Sequence, residues 1–161
     1  MFTSGKCVKA AAVIIVSIIA AALFISPHRF LTVRDRDSRE VYARYPLSEG
    51  GRFSVTFKHS VNLSPVTDVY VIEGGDIYVE ETVYYHFGAG VQTQLNEGET
   101  LTYGEDGSMI VGNIHQLRNN VGYIVGTVYD HVLQVNGQEI SLRDLCGKNT
   151  AIRFNYEFQL F

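Results

Sequence analysis

From Phe53 to His59 apolar and polar residues alternate without a break. Phe53, Val55 and Phe57 share one side of an extended chain with His59, and Ser54, Thr56, Lys58 and Ser60 share the other. A period of two belongs to a strand with one buried face and is useless to a helix. The same alternation returns at the C-terminus, where Ile152, Phe154, Tyr156, Phe158 and Leu160 oppose Ala151, Arg153, Asn155, Glu157 and Gln159. A chain patterned this way must pair its strands into sheets and cover the apolar faces with one another.

Turn residues punctuate the rest of the body at short intervals. Gly74-Gly75 between residues 66–73 and 76–87, and Asn136-Gly137 between 132–135 and 138–142, are two-residue hairpin signals. Residues 101–103 and 108–111 flank a turn at 104–107, 121–129 reads as an apolar strand, and 31–33 with 40–45 forms a first hairpin around a charged turn. About nine short strands and no body helix predict an all-β, antiparallel sandwich or barrel-like domain. Ten tyrosines, nine phenylalanines, 15 glycines and only three prolines suit that class.

The N-terminus has a different character. Residues 10–25 are apolar apart from Ser17, and Lys6 and Lys9 precede them. The stretch reads as a signal-anchor transmembrane helix over 10–31, with 1–9 in the cytoplasm and 32–161 as an extracytoplasmic β-domain. A cleaved signal peptide is the competing reading, with Ala20, Ala21 and Ala22 offering a small-residue cut. All 17 acids and 11 of the 13 basic residues follow Lys9, a balance of −6 that disfavours a nucleic-acid surface. Cys7 and Cys146 fall on opposite sides of the apolar stretch, so no disulfide framework is expected.

Counting back from the Gly74-Gly75 turn pairs Glu73 with Asp76 and Asp68 with Glu81, inside a face that also carries Val66, Tyr70, Ile72, Ile77, Val79 and Val83. Two facing carboxylates need compensation, and the candidates are His59, which also projects from an apolar face, Lys58, a shared proton or a cation. One reading is a ligand, metal or acid–base site; the other is a buried hydrogen-bond network holding the turn at 59–66. Ser60 beside His59 is no nucleophile–base pair, because neighbours in a strand point to opposite faces. Phe87-Gly88-Ala89-Gly90 reads either as a bend ending the long strand or as a close-contact site, and it lacks a nucleotide fingerprint. His86 falls on the opposite face from Glu81.

The pattern FxVxFxHSVxxxPV, followed by Asp68, by Glu81-Thr82 and by FGAG, resembles the bacterial family called domain of unknown function 1850. The likeness extends over residues 33–154 and includes His131, Leu133 and Gly137. It carries over only motif positions: His59, Ser60, Val61, Pro65, Val66, Asp68, Glu81, Phe87, Gly88, Ala89 and Gly90. The resemblance implies a small, anchored or exported protein associated with TAXI-type TRAP transporters, and with the apolar stretch read as an anchor the expected location is the bacterial inner membrane. On that ground the expected function is a non-enzymatic accessory subunit whose partners are the permease and a TAXI-type receptor. No catalytic residue, metal or cofactor is expected. The alternative is an extracytoplasmic sensor that binds a ligand or metal through His59, Asp68 and Glu81.

Overall fold

The computed structural model describes residues 28–61, 63–85 and 94–159. Two antiparallel sheets face each other. The smaller has the order β2-β1-β12-β9, built from β1 (His28–Asp35), β2 (Val41–Pro46), β9 (Val121–Ile124) and β12 (Ala151–Gln159). The larger contains β3 (Arg52–Lys58), β4 (Pro65–Glu73), β5 (Asp76–Tyr84), β6 (Thr100–Tyr103), β7 (Met109–Gly112), β10 (His131–Val135) and β11 (Gln138–Ser141). Its order is β11-β10-β3-β4-β5-β7-β6, with the short β8 (Gln116–Leu117) also paired to β5. Both hairpin turns form where their dipeptides place them, with positive φ at Gly74, Gly75, Asn136 and Gly137.

The inward residues of the two alternating segments meet in one core. Phe53 stacks on Tyr70 at 4.8 Å and leans on Phe154 at 5.6 Å, which joins β3 and β4 to β12 across the sandwich. Leu31, Val33, Ile152 and Phe154 supply the smaller sheet's side; Val55, Ile72, Ile77 and Leu133 supply the other. Burying such side chains contributes roughly 1.5–3 kcal/mol each, so the period-two faces are what hold the layers together.

Four expectations are corrected here. Residues 28–31, assigned above to the end of a helix, are the start of β1, and Leu31 is fully buried in the core. The β-domain therefore begins at His28 rather than at residue 32. Residues 1–27 lie outside the described residues, so the rest of the helix 10–31 does too; among the described residues no helix is long and apolar enough to cross a membrane. The apolar stretch 121–129 pairs as a strand only to Ile124; Val125 still exchanges backbone bonds with Asn149 and Thr150, and residues 127–129 then bend toward β10. Finally, Leu142 ends no strand. It opens the five-residue helix α1 (Leu142–Cys146), whose first turn is capped by Ser141 Oγ accepting from the Asp144 N–H at 3.0 Å.

Cys146 sits half-buried at the end of α1. Burial first, and then the Asp35 carboxylate, push its thiol up to about 11. At pH 8 its thiolate fraction, and so its alkylation rate, should be lower than a free cysteine's by on the order of a hundredfold. Peptide-resolved alkylation in native buffer and in urea checks this, with full reactivity expected only in urea.

The sandwich has two ends of different character. At one, here called basal, β1 begins and β12 finishes, with His28 paired to Gln159. The turns at 74–75 and 136–137 and the loop 47–51 close this end: Asn136 Nδ2 donates to the Pro46 carbonyl at 2.7 Å, and Gly50 N–H to Ile72 at 2.8 Å. The other, apical end collects the exit of β3, the entries of β4 and β10, and the exit of β5. Pairings of Lys58 with Pro65, Phe57 with His131 and Val66 with Tyr84 fix these neighbours.

Candidate functional site

The Gly74-Gly75 hairpin starts in the expected register: Glu73 pairs with Asp76, Ile72 with Ile77 and Tyr70 with Val79. A bulge then inserts one residue into β5, so Val69 pairs with Glu81 and Asp68 with Thr82. One extra residue on one strand reverses which side the following residues face. Asp68 and Glu81 are therefore not opposite each other, and the carboxylate pair expected from the sequence does not form. The bulge is held from outside: Arg52 makes an ion pair with Glu80, and Ile114 N–H donates to the Glu80 carbonyl at 3.0 Å.

Asp68 finds hydroxyl partners instead. Thr82 Oγ1 donates to Oδ1 at 3.0 Å, and Tyr123 Oη, from the opposite sheet, donates to Oδ2 at 2.8 Å. With its single proton committed, Tyr123 accepts from Tyr70 Oη at 2.7 Å. Burial raises the Asp68 carboxyl above the usual aspartate range, opposed by the Tyr123 and Thr82 bonds and by the charge of Arg118. Burial also raises both phenols above the ordinary tyrosine value, with the Asp68 charge adding to it. They stay protonated and serve as donors, so the network ties the two sheets together through the Asp68 carboxyl.

Above this tie lies an aromatic layer. His131 stacks on Phe57 at 5.4 Å and meets the edge of Tyr123 at 5.7 Å, while Phe57 and Tyr123 are 5.9 Å apart. His131 Nδ1 accepts from Gly126 N–H at 3.2 Å. Burial lowers its imidazole below the usual histidine value, opposed by Asp130 and reinforced by Arg143. Asp130 in turn accepts from the His131 and Arg143 N–H groups at 2.7 and 3.0 Å and from Ser141 Oγ at 2.5 Å.

The His59 expectation is corrected as well. β3 ends at Lys58, so the strand's parity no longer applies one residue later. His59 is half-exposed and organises its own turn: its N–H donates to Ser64 at 2.9 Å, its carbonyl accepts from Leu63 at 3.1 Å, and Nδ1 accepts from Val61 N–H at 3.2 Å. Ser60 and Val61 are exposed on that turn, whereas Pro65 and Val66 open β4. Phe87, Gly88, Ala89 and Gly90, with Asn62 and His86, lie outside the described residues. His59, Asp68 and Glu81 are thus not brought together, and among the described residues no three His, Cys, Asp or Glu form a metal-holding group.

Reading the sequence alone missed Tyr123, His131 and Asp130 as members of the site. One signal was available: Tyr70 shares a face with Asp68, and a tyrosine inside a core needs a partner for its hydroxyl. Which strand would supply that partner is a matter of topology, and no local pattern carries it.

Fold and site together define an antiparallel β-sandwich whose apical end is filled by a half-buried aromatic and hydrogen-bonded plug. A family model described as domain of unknown function (DUF1850) matches residues 53–142, and the chain belongs to that family. The match takes in the larger sheet from Phe53 onward together with β9. It leaves β1, β2 and β12 outside. No curated protein and no solved structure gives a significant match.

Proposed function

We propose that this chain is a non-enzymatic accessory subunit of a TAXI-type TRAP transporter. Its N-terminal apolar segment anchors it in the bacterial inner membrane, and the β-domain outside the cytoplasm binds the permease or its receptor. The observation that carries this reading is how the motif residues sort. Phe57 and Asp68 belong to the plug and Val66 is buried opposite Phe57 in β4, while Val61, at 68% exposure, lies on the turn that follows β3. Leu63, Val128 and Tyr129 are exposed apolar residues of the same end, and Lys58 Nζ lies over the Tyr129 ring at 4.6 Å. A rigid base under exposed apolar loops suits protein recognition.

The sensor alternative rested on His59, Asp68 and Glu81 in one place, and the described residues do not bring those three together. Deleting the gene should reduce uptake of the transporter's solute, and the tagged protein should bring the permease down in mild detergent. Unchanged uptake together with migration of the protein alone would overturn the proposal.

A further inference from the structure

Strand direction decides which end of the sandwich faces the bilayer, given the anchored reading proposed above. β1 enters the domain at the basal end, and its first residue, His28, pairs with Gln159 near the end of the chain. Only Ser26 and Pro27 separate His28 from Ile25, the last residue of the apolar stretch. Three residue steps reach at most about 11 Å, comparable to one headgroup layer.

The basal rim has the chemistry for that layer. Phe158 and Arg29 are paired across β12 and β1, and each continues the inward parity of its strand beyond the last core residues, so both emerge at the rim. Phe158 remains 49% exposed although it lies in a regular strand. Arg29 lies over the Tyr156 ring at 5.5 Å from its centroid. These side chains and Leu47 line a cleft of about 420 Å³, with the Glu49 carboxylate on its margin. A tyrosine such as Tyr156 belongs where hydrocarbon gives way to headgroups, and an arginine such as Arg29 can lay its stem there while its charge stays in water.

We infer that the basal rim, with Phe158 and Arg29 at its centre, rests in the headgroup layer of the bilayer that holds the N-terminal segment. The apical motif loops are then held away from the lipid. Nine residues of β4 separate the ends, roughly 30 Å at about 3.3 Å per residue. On this geometry the motif end meets partners that project from the membrane, a soluble receptor or an extracytoplasmic loop of a permease.

The chain contains no tryptophan, so a single introduced one reports its own position. Full-length Phe158→Trp, Ser48→Trp and Val128→Trp would be reconstituted into phosphatidylcholine vesicles with and without brominated acyl chains. Both basal reporters should lose about half of their emission in brominated lipid, and the apical reporter should keep its own. Ser48 is an exposed loop position, so its variant keeps the test valid if the strand position tolerates tryptophan poorly. Unquenched basal reporters, or quenching of Val128→Trp to the same degree, would overturn the inference. Extraction with alkaline carbonate separates anchoring from orientation. Release from vesicles refutes the anchor itself, whereas retention with unquenched basal reporters refutes only the orientation.

Discussion

Gly126→Ala should destabilise the domain by about 3 kcal/mol and loosen the apical end selectively. A Cβ built at Gly126 would stand 2.0 Å from the Tyr129 carbonyl oxygen, a backbone atom that cannot swing aside. The turn 126–130 would have to open. Two bonds that bracket it would go with it: Gly126 N–H to His131 Nδ1, and Arg143 Nη2 to the Gly126 carbonyl at 3.1 Å. His131 is the stacking partner of Phe57, so the disturbance passes into β3 and the turn at His59. Thermal unfolding measures the loss. Amide exchange should show it concentrated at residues 56–61 and 126–132, with the basal turns at 74–75 and 136–137 little changed.

The second large effect is at Asp68. Asp68→Ala leaves the Tyr123 and Thr82 hydroxyls buried without their acceptor and should cost about 2 kcal/mol. Asp68→Asn behaves differently, since the amide oxygen can accept from Tyr123 and the amide nitrogen can donate to Thr82. Because burial raises the folded carboxyl, native Asp68 favours folding fully only below its ordinary value near 3.8, and this contribution is lost as pH rises through the raised folded value. Asp68→Asn carries no such term. Its Tm relative to the native protein should therefore be higher at pH 7 than at pH 4. A difference of the opposite sign would mean that the native carboxylate is stabilised by charge, and the assignment of Asp68 to a polar tie would fail.

These two residues also mark where sequence pattern stops carrying structure. The dipeptides Gly74-Gly75 and Asn136-Gly137 could be placed because positive φ at two successive residues is a local demand. The core faces of Phe53, Val55, Ile152 and Phe154 could be placed because period two repeats without interruption. The bulge in β5 defeated the register count because it adds a residue inside a strand, leaving the turn untouched. Its trace is the doubled polar pair Glu80-Glu81, where the inward parity passes from Val79 to Thr82. Helix α1 is too short for a 3.6-residue period to appear, so only its Ser141 cap distinguishes it from a strand end.

The site was legible in part for the same reason. Asp68 stood out because it shares a face with apolar neighbours, a property of its own strand. Tyr123 and His131 reach it through pairings between distant segments, Phe154 with Val121 and Phe57 with His131. No local spacing encodes such pairings. His59 was misplaced by a single residue, since alternation was extended past the end of β3.

The central claim is that the exposed apical loops bind the transporter, and it can be tested without disturbing the plug. Val61 and Val128 are 68% and 73% exposed, so charges at both positions should fold normally. The full-length protein carrying Val61→Asp and Val128→Asp should keep its Tm and its place in the membrane. It should also fail to bring down the TRAP permease or receptor that, on the proposed function, the native protein should recover in mild detergent. Equal recovery by the native and doubly substituted proteins would contradict the account.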